Sequence, residues 1–124
     1  MSVDNRAAFE AFVDLFYTQK RVGDAFDLLV SDDYRQHNPT IGDGPAAAIE
    51  ALTPKFDGSP EARFEIQRML VDGDLAMVHV KASRPGAPDA AVADIYRFES
   101  GRIVEHWDVL QQVPVHAAHD HPMF

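Results

Sequence analysis

The chain has 124 residues, no cysteine and a formal net charge of -9. That length suits one domain able to bury its own core, and the missing thiols exclude disulfides, cysteine nucleophiles and thiolate-bound metals. The acidity opposes a phosphate backbone, and the sparse basic pairs, Lys20 with Arg21 and Arg63 with Arg68, form no patch, so nucleic acid is not an expected partner.

The opening stretch, MSVDNRAAFEAF, has no cationic region leading into an apolar run, so no signal peptide is expected. No apolar run approaches the ~20 residues of a membrane span, and a cytoplasmic location is the expectation. With no repeat and no Pro/Gly-rich linker, residues 1–124 read as one domain in which 114–124 form a tail.

Phe9, Phe12, Val13 and Phe16 recur at i, i+3, i+4 and i+7, the stripe of an amphipathic helix. Lys20 and Arg21 suit its C-terminal dipole, and Gly23 is the expected stop. Asp24 then caps a second helix with Phe26, Leu29 and Val30 inward, ended by Ser31-Asp32-Asp33. Tyr34 to His37 reads as a brief extended segment halted by Asn38-Pro39. Pro45 sits at the expected first position of a third helix over Ala46–Leu52, which Pro54 ends.

From Ala62 the period changes to that of strands. Phe64 and Ile66 share one parity, Met69 and Val71 the other, so a bulge is expected between them. Asp72-Gly73 signals a hairpin into a strand over Leu75–Ala82. After the loop Arg84–Asp89, segments Ala91–Phe98 and Ile103–Val113 form a last hairpin. Helices first and antiparallel strands afterwards predict an α+β domain with helices on one face of a curved sheet. Such a sheet leaves an apolar cone suited to a small ligand.

Two motifs, Tyr34-Arg35-Gln36-His37-Asn38-Pro39 and the run Asp94–Val109, resemble those of SnoaL-like polyketide cyclases in the nuclear transport factor 2-like superfamily. The terminal Met123-Phe124 is similar to the ending of one bacterial branch. The resemblance spans nearly the whole chain. It implies a cone-shaped α+β fold, a homodimer formed through the outer sheet face, and a pocket that uses no cofactor and no metal. The characterised cyclases close rings by intramolecular aldol condensation. The position matching Asp108 carries their acid/base aspartate, whereas the position matching Asp94 is typically histidine. The departure at Asp94 makes this pocket more acidic. Isomerases, dehydratases and epoxide hydrolases share the superfamily, so the fold alone does not choose the reaction.

The last hairpin tests this on its own residues. Glu99-Ser100-Gly101 reads as a three-residue loop, a type I turn followed by glycine in the left-handed region. It pairs Asp94 with His106 and Val92 with Asp108, and alternation sets Asp94, His106 and Asp108 on one face. A two-residue Ser100-Gly101 loop would instead put Asp94 opposite Trp107 and turn Asp108 away. In the first register the three groups share a pocket with Tyr96, Phe98 and Leu110. Carboxylates so placed can take a proton beside a carbonyl and return one to its oxygen.

The candidate catalytic residues are therefore Asp94, Asp108, His106 and His37, with Tyr34, His79, Tyr96, Phe98 and Leu110 lining the pocket. Each has a plainer alternative. Asp94 could pair with Arg97 or Arg102, Asp108 could make an outer-face salt bridge, and His106 could merely hydrogen-bond Asp94. His37 could be a turn residue, and His79 a core or interface group. Glu105 and Trp107 fall on the outer face, Glu105 as an ion-pair partner of Arg97. His116, His119, Asp120 and His121 offer metal-binding side chains, but on a tail without a scaffold. The reading is a pocket protein acting by cofactor-free acid/base catalysis, of the aldol cyclase or isomerase type, on a small carbonyl-bearing or polycyclic molecule. The alternative is a small-molecule binding domain that does no chemistry.

Overall fold

The computed structural model describes residues 4–124; the first three residues of the N-terminal stretch lie outside it. Helix α1, Asn5–Val13, starts where the Asp4 carboxylate accepts the Ala7 N–H at 2.9 Å, an N-cap. It continues as one wide π turn, Asp14–Thr18, closed by the Gln19 N–H on the Asp14 carbonyl at 2.8 Å. The chain then reverses at Lys20, with φ of 56°, and not at Gly23. A left-handed backbone costs a lysine something, and its ammonium offsets this by donating to the carbonyls of Ser59 and Ala62, both at 2.8 Å.

Gly23 lies inside helix α2, Val22–Leu29. Its start is capped from afar by the Asp57 carboxylate on the Val22 N–H at 3.2 Å, while Asp24 pairs with Arg21. Val30 is buried as the first residue of strand β1, Val30–Gln36, rather than as the end of the helix. Helix α3 spans Pro45–Leu52 with proline in its first turn. Among the described residues no helix is long and apolar enough to cross a membrane.

Strands β2 (Arg63–Asp72), β3 (Leu75–Ser83), β4 (Ala90–Glu99) and β5 (Arg102–Gln112) complete one sheet in the order β1-β5-β4-β3-β2. The sheet is mixed: β1 runs parallel to β5, where an all-antiparallel sheet was the expectation. A parallel pair needs a long crossover and no tight turn, so no local signal marks it. The expected bulge in β2 falls between Ile66 and Arg68, bringing Met69 and Val71 onto the core face with Phe64 and Ile66.

The sheet curves around the helices as an open cone. Aromatic contacts pack its interior: Phe12 on Phe16 at 5.1 Å between centroids, Phe16 on Phe56 at 4.5 Å, and Phe56 stacked on Phe64 at 4.0 Å. Burying each such ring contributes roughly 2–3 kcal/mol.

The β4–β5 turn has two residues, Ser100 and Gly101, both left-handed with φ of 52° and 79°. This is the turn whose twist matches the flanking strands. It pairs Glu99 with Arg102 and Phe98 with Ile103, after which β5 bulges at Val104 and Arg97 faces Glu105. The three-residue loop and its pairings are thereby corrected. Beyond the bulge Asp94 lies opposite Asp108 and Tyr96 opposite His106. The shared face of Asp94, His106 and Asp108 is kept, although the loop that argued for it is not present.

Candidate functional site

A cavity of about 220 Å3 opens inside the cone, walled by Phe12, Phe16, Phe26, Phe56, Leu52 and Val80. Its polar end is built by β4 and β5, which contribute Asp94, Tyr96, His106 and Asp108, and by β1 and the residues after it, which contribute Tyr34 and Asn38. Apolar walls with a few convergent polar groups are the general form of a small-ligand site.

The polar groups are tied to one another. The Asp94 carboxylate, 8 % exposed, accepts the Tyr17 hydroxyl on Oδ2 at 2.6 Å and faces His106 Nε2 with Oδ1 at 2.8 Å. A carboxylate only accepts, so Tyr17 spends its hydrogen on Asp94. Tyr96, 2.6 Å from the Tyr17 oxygen, is then the donor to Tyr17. Burial pushes both phenols well above their ordinary pKa, and the negative charge of Asp94 pushes the same way. Burial also raises Tyr34. All three stay protonated donors.

Asp108 is held differently. The Asn38 amide nitrogen donates to both its oxygens, at 3.0 and 2.8 Å. The Asn38 oxygen in turn accepts the Thr40 N–H at 2.9 Å, which settles which end of the amide is which. His106 Nε2 is 4.0 Å from Asp108 Oδ2. One imidazole nitrogen therefore faces both carboxylates, and Asp108 is the more open of the two, with its side chain 18 % exposed against 11 % for Asp94.

Of the nine residues read from the sequence as site residues, Asp94, Asp108, His106, Tyr34, Tyr96 and Leu110 line the cavity. Leu110 stands at its rim, 61 % exposed. Three do not. Phe98 is core, packed edge-on against Phe9 of α1 at 6.1 Å, because it lies at the turn end of β4, two residues beyond Tyr96 and away from the rim where Val92 pairs with Leu110. His79 points outward, paired with Arg68 at 2.9 Å and stacked near Phe124, since Val78 and Val80 take the inner face. His37 also lies outside. Its ring stacks on Trp107 at 4.9 Å and bonds the Glu105 carboxylate at 2.6 Å, because β1 ends alongside β5 and its next residue lies over the outer face.

Glu105 bonds Arg97 on its other oxygen at 2.9 Å. The His37 hydrogen bond first, then that of Arg97, holds its carboxyl below the usual glutamate range. Glu105 and Trp107 are therefore outward, as the alternation requires. Two residues of the site were not singled out from the sequence. Tyr17 occupies i+8 of the stripe begun at Phe9, a position that itself points inward. Asn38 reads as a strand stop, and nothing local links it to Asp108.

Asp94, His106 and Asp108 bring ligand-type atoms within 4.8 Å of one another. Each oxygen of these two carboxylates already accepts a hydrogen bond, from Tyr17 and His106 on Asp94 and from Asn38 on Asp108, so an ion there would compete with those donors. In the tail, the His121 N–H bonds His119 Nδ1 at 3.2 Å on an exposed segment.

The SnoaL-like domain family matches residues 9–106. No curated protein matches the chain. Among solved structures, TsrD from Streptomyces laurentii is 20% identical with a TM-score of 0.70, covering 88% of this chain and 91% of its own. A SnoaL-like polyketide cyclase from Agrobacterium tumefaciens is 19% identical with a TM-score of 0.69, covering 90% and 93%. An NTF-2 like protein of unknown function from Burkholderia xenovorans is 21% identical with a TM-score of 0.70, covering 92% and 88%. At such identities these likenesses speak for the cone fold and not for a substrate.

Proposed function

Since the chain belongs to the SnoaL-like domain family, we propose that its cone binds a small carbonyl compound and moves protons on it without cofactor or metal. The observation that carries this reading is the direct opposition of Asp94 and Asp108 on neighbouring strands, with His106 Nε2 facing both. Asp108 is the base. It is the more open carboxylate, and Asn38 orients it without neutralising it. It removes the proton beside the carbonyl while the carbonyl oxygen takes the hydrogen held between His106 Nε2 and Asp94 Oδ1. The enol so formed attacks a second carbonyl, closing a ring as its O–H hydrogen returns to His106 and the new alkoxide takes the proton from Asp108. Where it is conjugated with a further double bond, it instead takes that proton back at another carbon. Both outcomes need the same pair of groups.

The cavity of about 220 Å3 falls below the ~300–1,000 Å3 of sites for drug-sized ligands. It suits a compact substrate of one or two rings better than a larger polycycle. A row of apolar residues in register across the outer sheet face, Leu70, Met77, Ile95 and Trp107, supports the homodimer that belongs to this reading. A monomeric mass by light scattering would remove the dimer. The cytoplasmic location is part of the same proposal, and fractionation of the native host tests it.

Replacing Asp94 or Asp108 by asparagine is expected to lower turnover of a converted ketone about 100-fold or more. Full activity in either single variant removes the mechanism. The competing reading, a binding domain that does no chemistry, draws on Asp94 having both oxygens bonded, as a purely structural carboxylate would. It predicts ligands that bind unchanged and exchange no α-proton for deuterium.

A further inference from the structure

Gln36 ends β1 beside the cavity, and nothing so far gives it a role. Its amide can be oriented from its neighbours. The backbone N–H groups of His37 and Asn38 both point at one amide atom, at 3.1 and 3.0 Å. An N–H only donates, so that atom is the oxygen. The nitrogen end, 2.9 Å from the Tyr34 hydroxyl, donates to it.

His106 Nδ1 lies 2.7 Å from the same Gln36 oxygen. An amide oxygen has no hydrogen to give, so the hydrogen of this contact is on Nδ1. Nε2 is left as the ring atom that exchanges a hydrogen with the cavity, 2.8 Å from Asp94 Oδ1. Asp94 already receives the Tyr17 hydrogen on its other oxygen, so one transferable hydrogen lies between Nε2 and Oδ1. At Tyr34 the oxygen accepts from Gln36, which leaves the phenolic hydrogen free, and Tyr34 lines the cavity.

We propose that Gln36 is a positioning residue that fixes His106 with its hydrogen on Nδ1 and frees the Tyr34 O–H as a donor into the cavity, selecting ligands that present an acceptor oxygen. The use of these hydrogens in turnover rests on the acid/base reading above; the positions of the hydrogens do not. Second-sphere partners of this kind set which imidazole nitrogen is available.

The test is 15N NMR of histidine-labelled protein near neutral pH, with His106→Gln identifying the His106 signals. The wild type is expected to show a protonated Nδ1. Gln36→Glu keeps an acceptor there and keeps that signal. Gln36→Leu removes it, and Nδ1 becomes a bare ring nitrogen. In turnover, Gln36→Leu lowers kcat about 100-fold, as loss of a general acid does, and Gln36→Glu restores most of it. A bare Nδ1 in the wild type overturns the proposal without any variant having to fold. An unchanged Nδ1 in folded Gln36→Leu does so too. Spectra as expected, together with full activity of Asp94→Asn, would sink the acid/base reading and leave the role of Gln36 standing.

Discussion

Tyr17→Phe removes one oxygen from a buried chain of hydrogen bonds and leaves the packing volume unchanged. Two costs follow. The bond to Asp94 at 2.6 Å has a charged acceptor, a class worth about 1.5–3 kcal/mol net. The Tyr96 hydroxyl, on a residue 3 % exposed, loses its only acceptor among the described residues, and such an orphan costs about 1–3 kcal/mol. Together they reach about 2.5–6 kcal/mol, a large share of the ~5–15 kcal/mol that a domain has. Tyr96→Phe removes only the donor end and is expected to cost about 1 kcal/mol. The double variant leaves no orphan, so it should be more stable than the two single costs added together imply, by about 1–3 kcal/mol. Urea unfolding of the four proteins, with equal m-values, measures all three numbers. A Tyr17→Phe cost no larger than that of Tyr96→Phe would refute the assigned direction of donation.

Alkaline pH supplies a second test. All three tyrosines are buried with raised pKa values, whereas the unfolded chain ionises near pH 10. The unfolded state then binds fewer protons, so stability is fully present below about pH 10 and falls as pH rises above it, by up to about 4 kcal/mol per pH unit for three groups. Tyrosinate absorbance should rise together with loss of circular dichroism; a tyrosine titrating in the folded protein near pH 10 would contradict the burial. On the acid side, the lowered Glu105 carboxyl contributes stability above its ordinary pKa of 4.5 that disappears as pH falls through the lower folded value. Glu105→Gln should therefore melt below the wild type at neutral pH, and the gap in Tm should close in acid. A gap independent of pH would remove the ion-pair explanation.

How far the sequence could be read depended on whether a feature leaves a local trace. The β2 bulge is visible because Phe64 and Ile66 disagree in parity with Met69 and Val71. Pro45 marks its helix because proline fits a first turn. The π turn leaves no comparable mark, so the helix end moves from Gly23 to Lys20, which is held by carbonyls some forty positions away. The pairing of β1 with β5 is non-local, and with it go the outward placement of His37 and the link from Asn38 to Asp108. Asp94, His106 and Asp108 share a face under any register of the same parity, which is why their grouping stands with a different turn. His79 follows the opposite parity of Val78 and Val80, and its outward position was readable from them.

The two-residue turn and the extra residue at Val104 act as compensating frameshifts. The turn alone would put β5 out of phase, with Trp107 facing the ligand and both Asp108 and His106 in solvent. The bulge restores the phase within a few residues, before the chemistry begins. Insertions or deletions in this hairpin are thus tolerable only in pairs that preserve phase. Even then, a longer turn without the bulge would slide Asp94 from Asp108 to His106. The offset of one strand against the next, rather than the identity of any single residue, encodes which two carboxylates meet.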